Sequence, residues 1–422
     1  MSTSNLTPPP LQNDCFALPP GVQWTPVTDA QAMLKHRLHC IVATEDLPMQ
    51  SALGRVLAAP IVATRSNPPK PNSAVDGYAV KGADFGDGDH VVPLVDGRSA
   101  AGQPFDGTVS KGHAMRILTG ASMPAGADTV ILQEDVSLGE GEIAFRGPLK
   151  VGANARKAGE DFQQGGEVLT AGHRIRPADM ALMAAAGARR VTVYRRLRVA
   201  VLSTGDELAE AGSEAAPDQI YDANRPMLLS MVAKLGHEAI DLGRIADDRE
   251  TLRGALDRAA AEADLILTSG GASAGDEDHM SALLNEAGAM ALWRLAIKPG
   301  RPLALGLWQN TPVFGLPGNP VAAGVCAMIF ALPAMGILAG EGWNAPEGTL
   351  LPAGFSKSKK AGRREYLRAR LRDGKVEAFA SEGSGRISGL SWADGLVELP
   401  DHAMEIAPGD PVRFFSYKDF GI

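Results

Sequence analysis

The chain has 422 residues, 45% hydrophobic and 21% charged, with a formal net charge of −8. At roughly 150 residues per domain this length calls for about three cores, and the acidic balance argues against a nucleic-acid surface while leaving room for a local basic pocket. The three cysteines, Cys15, Cys40 and Cys326, stand far apart with no CxxC pair, so no disulfide framework or zinc site is indicated and a reducing compartment, the cytoplasm, is expected.

Residues 1 to 25 are polar and proline-rich, a flexible leader without the basic and apolar regions of a secretory signal. Thr28 to Ala43 reads as a helix. Leu47 to Ile61 begins a connection, and SNPPKPNSAVDGYAV (66 to 80) is a Pro/Asn turn region running into a short strand. From 91 to 168 short strands with many glycines replace helix, and RILTGASMPAGADTVILQED (116 to 135) reads as strand, tight turn, strand. Helix returns at 169 to 196, most clearly in DMALMAAAGA (179 to 188). The expected division is an N-terminal and linker helical region at 1–70 and 166–196, a small β domain at 71–165, a central α/β domain at 197–345 and a C-terminal β-barrel-like domain at 346–422. The last rests on alternating runs such as REYLRARLRD (364 to 373) and DPVRFFSY (410 to 417).

Three short apolar runs organise the central region: VAVLSTGDEL (199 to 208), LILTSGGASAGDEDH (265 to 279) and TPVFGLPGNP (311 to 320). Apolar runs bounded by turn signals read as strands buried on both faces. Helical patterns separate them, at 226 to 237 and 251 to 263. Strand alternating with helix gives a doubly wound parallel sheet, which binds ligands outside the carboxyl ends of its strands. Val321 to Gly340 carries no charge and is long enough to span a bilayer. Its alanines, its Gly324, Pro333 and Gly336, and its place after a buried strand make it a core helix, and no membrane is expected.

The chemistry-bearing residues gather at those strand ends. Glycines in TSGGAS (268 to 273) let backbone N–H groups converge on an anion, with Ser269, Gly270, Gly271 and Ser273 as its contacts; the alternative is a ligand-free turn. It is neither a Walker A loop nor GxGxxG. Asp206 and Glu207, Asp247, and Asp278 follow three strands of one sheet, and converging carboxylates call for a hard cation such as Mg²⁺. The competing reading is acids that stabilise helix N-termini, and Glu277 is assigned to it. Lys298 and Arg301, on the stiff KPGRP turn, suit an oxyanion or phosphate. Pro317, Gly318 and Pro320 would serve by shape, and Asn319 and Asn224 are read as helix caps. Nothing supports serine, histidine or cysteine catalysis.

Together these motifs resemble the molybdopterin molybdenumtransferases, called MoeA in bacteria and forming the E domain of gephyrin-like proteins. The matching stretches are NSAVDGYAV (72 to 80), ILTGASMPAGADTVILQED (117 to 135), AGED (158 to 161), LSTGDEL (202 to 208), TSGGASAGDEDH (268 to 279), KPGRPLALG (298 to 306) and GLPGNPVAA (315 to 323), in the family's order. The resemblance implies an elongated four-part subunit, a homodimer, and a reaction in which adenylated molybdopterin and molybdate, with Mg²⁺, give molybdenum cofactor and AMP. It implies catalytic positions at Asp76, Thr119, Glu207, Asp247 and Asp278, with Pro317 and Pro320 also important. Asp76 and Thr119 lie outside the central region, and in the family that part reaches the partner subunit's pocket. The upstream adenylyltransferase and downstream molybdoenzymes are the implied protein partners. One departure is His279, where other members carry Tyr or Phe; it bears on a neighbouring substrate contact, not on Asp278. The rival readings are a non-catalytic dimeric scaffold, a tungsten-inserting relative, and the adenylyltransferase step, which the extra β domains disfavour.

Overall fold

The computed structural model describes residues 24–270, 279–287, 291–300 and 302–422. They form two compact units, one of residues 43–194 and one joining the described residues before 43 to 195–422.

The larger unit is built on a six-stranded sheet. Its strands are β1 (Arg198–Thr204), β2 (Glu238–Ile245), β3 (Leu265–Ser269), β4 (Ala291–Arg294), β5 (Pro302–Trp308) and β6 (Thr311–Leu316). The spatial order is β2-β1-β3-β6-β5-β4. The first four run parallel, as the continuous apolar runs predict, while β5 pairs antiparallel with β6 and β4 antiparallel with β5. The sheet is therefore mixed at one edge, where a two-residue turn after β5 reverses the chain with Gln309 and Asn310 at positive φ. The doubly wound expectation holds for the half that carries the acids.

The helices are α1 (Asn224–Lys234), α2 (Arg249–Glu262), α3 (His279–Glu286) and α4 (Pro320–Leu338), the last with a π-helical turn at Ala327–Ala331. Alternate residues of each strand face opposite layers. One layer packs Ala200, Leu202, Ile266 and Val313 against Leu252, Leu256, Leu283 and Leu284 of α2 and α3. On the other side α1 packs on β1 and against α4. α4 is long and apolar enough to cross a membrane, but 94% of its apolar window is buried inside the protein, as a core helix requires.

The helix Val27–Arg37 belongs to this unit rather than to a region shared with 166–196: Gln31 Nε2 donates to Ile329 O of α4 at 3.3 Å and Ile41 N to Leu338 O at 3.1 Å. The KPGRP stretch, read as a turn, opens with a short strand. Ile297–Lys298 pairs parallel with Arg364 and Glu365 and so ties the central sheet to the C-terminal sheet. That C-terminal sheet curls into a barrel. Thr349–Pro352, Pro411–Ser416, Gly395–Leu399, Arg364–Arg372 and Lys375–Ala378 pair in turn, and a bridge between Ala353 and Val376 closes the ring around Ala369, Val397, Val412 and Phe414.

The unit of residues 43–194 carries a six-stranded sheet of its own. In it Gly77–Val80 lies between Thr129–Leu132 and Ala114–Ile117, antiparallel to both. The glycine of VDGYA is a packing necessity: a Cβ on Gly77 would stand 2.0 Å from Ile131 O. The helix Pro177–Ala185 packs with Ile175, Val191 and Val193 in a separate apolar cluster.

Candidate functional site

In the order β2-β1-β3 the connection from β1 leaves to one side and the connection into β3 returns to the other, so a crevice opens at the carboxyl ends of β1 and β3. The turns there are held close. Gly270 sits at φ +92°, and a Cβ on it would lie 2.4 Å from Thr204 O and 2.9 Å from Thr204 Oγ1. Its own N–H donates to Leu316 O of β6 at 3.2 Å. Three strand ends thus meet at one glycine.

The acids stand around this meeting point. Gly205, at φ +142°, turns the chain after β1 and presents Asp206 and Glu207 to solvent. Asp206 Oδ1 accepts from the Asp247 N–H at 3.3 Å, which brings the ends of β1 and β2 together. Glu207 folds its carboxylate back over Gly205, where a Cβ would lie 2.4 Å from Oε2. Asp248 caps α2 instead: its Oδ2 accepts from Thr251 N and Thr251 Oγ1, at 2.9 and 2.6 Å. The Thr251 hydroxyl and N–H hold its carboxyl below the usual range.

Asn224 is not the cap that the sequence indicates. It is the first residue of α1 and is 6% exposed, and the capping acceptor is Asp222, whose Oδ1 takes the N–H groups of Asn224 and Arg225 at 3.2 Å each. Asn224 Nδ2 donates to Ser269 Oγ at 2.6 Å and to Gly318 O at 2.7 Å, tying the end of β3 to the PGNP turn. Asn319 likewise makes no side-chain cap at α4, where Pro320 begins the helix. Pro317 is buried, Pro320 half-buried and Gly318 exposed. Asp222 also accepts from Ser203 of β1, and Arg225 spans from Asp222 to Asp241 and Glu210. A buried guanidinium met by three carboxylates thereby anchors the loop after Glu207.

Among the described residues, three buried polar atoms at these strand ends have no hydrogen-bond partner: Thr204 Oγ1, Thr268 Oγ1 and Asn224 Oδ1. Leaving such atoms unmet costs about 1–3 kcal/mol each. Native chains meet such atoms with an ordered water, an ion or a ligand.

Asp278, Gly271, Ser273 and Arg301 lie outside the described residues. Lys298 departs from expectation. Its ammonium lies 2.6 Å from Glu382 and 3.5 Å from Glu365, and Lys357 shares both carboxylates. Two lysines against two glutamates form a charge-balanced group, which weakens the pull of Lys298 on an anion.

The metal expectation rests on the donor set. Among the described residues no three acids, histidines or cysteines cluster to cage an ion. Mg²⁺ keeps several waters and binds through one or two carboxylates and substrate phosphates. Asp206, Glu207 and Asp247 fit that open mode.

In the other unit, Asp76 and Thr119 come together although 43 residues separate them. Gly77 pairs with Ile117, which sets the residues flanking both strands at one sheet end. The Thr119 N–H and hydroxyl both donate to Asp76 Oδ1 at 2.7 Å. These two bonds, with the nearby Arg116 charge, hold the Asp76 carboxyl below its ordinary range.

Comparison with known proteins matches this architecture along its length. Family models for the MoeA N-terminal region (domains I and II), a probable molybdopterin binding domain and the MoeA C-terminal region (domain IV) match residues 25–187, 200–336 and 351–416. The molybdopterin molybdenumtransferase of Haemophilus influenzae is 36% identical over 390 residues, covering 91% of this chain and 96% of the relative. The chain belongs to the MoeA family. Molybdopterin molybdenumtransferase 2 of Mycobacterium tuberculosis is 34% identical over 380 residues, covering 87% of this chain and 93% of the relative. The crystal structure of the MoeA protein from Pyrococcus horikoshii OT3 superposes with a TM-score of 0.81 at 28% identity, covering 93% of this chain and 100% of that one. At this rim the sequence reading missed the roles of Asn224, Asp222 and Arg225. The spacing of an acid three residues before an arginine in DANR was the available signal.

Proposed function

We propose that this chain is a molybdenum-inserting transferase. It takes adenylated molybdopterin and molybdate, with Mg²⁺, and gives molybdenum cofactor and AMP. The observation that carries this reading is the rim at β1 and β3, where hydroxyls of Thr204 and Thr268 stand buried and, among the described residues, unmet, beside exposed carboxylates. Unmet hydroxyl donors next to glycine-opened backbone suit phosphate oxygens; exposed carboxylates suit the cation that travels with them. The relatives named as molybdopterin molybdenumtransferases support the same substrate class.

In this reading Ser269 and Gly270, with Gly271 and Ser273, cradle the phosphate. Asp206, Glu207, Asp247 and Asp278 supply oxygen ligands for Mg²⁺, which when bound would neutralise charge on the phosphoanhydride as AMP leaves. Lys298, released from Glu382, and Arg301 meet the oxyanion. Pro317, Gly318 and Pro320 shape the wall between them. Asp76, kept ionised by Thr119, is a second functional locus. Homodimer formation, cytoplasmic location and exchange with an upstream adenylyltransferase and downstream molybdoenzymes belong to the same reading.

The test is Mg²⁺-dependent AMP release by Glu207→Ala and Asp278→Ala. Glu207 is exposed after the end of β1, where packing does not need a carboxylate, and loss of one group that stabilises developing charge commonly costs about 3 kcal/mol, or roughly a hundredfold in rate. Wild-type turnover in both variants with unchanged circular dichroism refutes the reading of the rim.

A further inference from the structure

We infer that Asn224 contacts the substrate directly: Nδ2 ties the rim together, and Oδ1 accepts a hydrogen bond from a neutral N–H or O–H donor on the bound ligand. This rests on the metal-transfer reading above and deepens it by assigning a binding residue at the same rim.

The orientation of the amide is set by its partners. Gly318 O can only accept, so the atom 2.7 Å from it is the NH₂ group and the other lobe is Oδ1. Both hydrogens of Nδ2 are then used, one on Gly318 O and one on Ser269 Oγ. These two bonds account for the tie between β3 and the PGNP turn without Oδ1. Yet Oδ1 is buried and, among the described residues, has no partner. Asn224 as a whole is only 6% exposed, and Asp222 fixes its backbone. The acceptor is therefore preorganised as well as unmet.

The side chain ends at the PGNP turn, where Gly318 is exposed and carries no side chain. A ligand group lying against that turn reaches the tie from the strand-end side. The polarity is complementary to the rest of the rim. The Thr204, Thr268 and Ser269 hydroxyls offer donors, which suit phosphate oxygens, whereas Asn224 Oδ1 offers an acceptor, which a phosphate cannot use. The substrate carries matching donors in two places. The pterin has an amine and ring N–H groups; the adenylyl group has an amine and ribose hydroxyls. A hydrogen-bonding site also rejects analogues that lack the donor far better than an apolar one does, because its own buried group is then left unmet.

The experiment measures dissociation constants of the full chain for two probes, molybdopterin and AMP, by calorimetry, in wild type and Asn224→Ala. The expected result is that one probe weakens by about tenfold or more, as loss of one buried hydrogen bond predicts, while the other stays within about twofold. The sensitive probe identifies the source of the donor. Asn224→Ser, which suits a helix start and is too short to span the rim, replaces the alanine variant if that one does not fold. Equal weakening of both probes, or no weakening of either, makes Asn224 a structural tie only and overturns the inference. A wild-type chain that binds neither probe removes the proposed substrate and this inference with it.

Discussion

Replacing Gly270 by alanine perturbs the site at the point where three strand ends meet. Gly270 sits at φ +92°, in a region that costs an L-residue about 1–2 kcal/mol. Steric crowding adds to this. The new Cβ would stand 2.4 Å from Thr204 O, and real Cβ atoms essentially never come under 3.0 Å, so β1 and β3 must part by at least about 0.6 Å. The total is about 2–4 kcal/mol, in the range of a strained backbone position. The displaced carbonyl belongs to the peptide before Gly205, so the shift passes directly to Asp206 and Glu207. A misplacement near 1 Å can cost about a hundredfold in rate. Thermal melting and AMP release per folded molecule are the assays. The variant is expected to melt several degrees lower and to turn over about 10- to 100-fold more slowly. Wild-type melting and turnover together refute the close approach as a requirement of the site.

Asp76→Asn removes the charge that the two Thr119 bonds stabilise; activity should fall at least about tenfold with unchanged circular dichroism, and wild-type activity makes the pair structural. Pro320→Ala, at a half-buried helix start, should cost at most about 1 kcal/mol in melting and lower activity more than stability, whereas buried Pro317→Ala should lower both; equal melting losses contradict the distinction. Asp264 tests the opposite end of the sheet. Burial raises its carboxyl pKa, but hydrogen bonds from Arg198 and the charges of Arg195 and Arg198 outweigh that and hold it low. A lowered folded-state value stabilises above the unfolded carboxylate pKa near ~3.9 and fades as pH falls through the folded value. The melting gap between wild type and Asp264→Asn should therefore be full near neutrality and close in acid; a constant gap across pH rules out the ion pair as its source.

The parallel half of the sheet was legible because VAVLST, LILTS and TPVFGL are apolar on both faces and end in glycine or proline. The antiparallel edge was not, since PLALGLW has the same apolar character in either direction and its direction is set by the Gln309–Asn310 reversal. The acids Asp206, Glu207 and Asp247 were legible as strand-end residues, because chain reversals at the ends of buried strands bring polar side chains to the surface. Asn224 was misassigned because an asparagine close before a proline at a helix start has a local capping role available. Its actual partners, Ser269 and Gly318, lie 45 and 94 residues away. The same distance hid Lys298, whose Glu365 and Glu382 partners come from the barrel. The family resemblance named Asp76 and Thr119 as site positions but not their bonding to each other, since strand register across 43 residues is not written in either motif.

The most direct measurement mixes the purified chain with adenylated molybdopterin and Mg²⁺, with molybdate present or absent, and monitors AMP together with metal bound to the pterin. The account predicts AMP release coupled to molybdenum insertion and dependent on Mg²⁺, with tungstate as the comparison oxyanion. Binding of the pterin with no AMP released and no metal inserted, under any of these conditions, would contradict it and leave a binding module in its place.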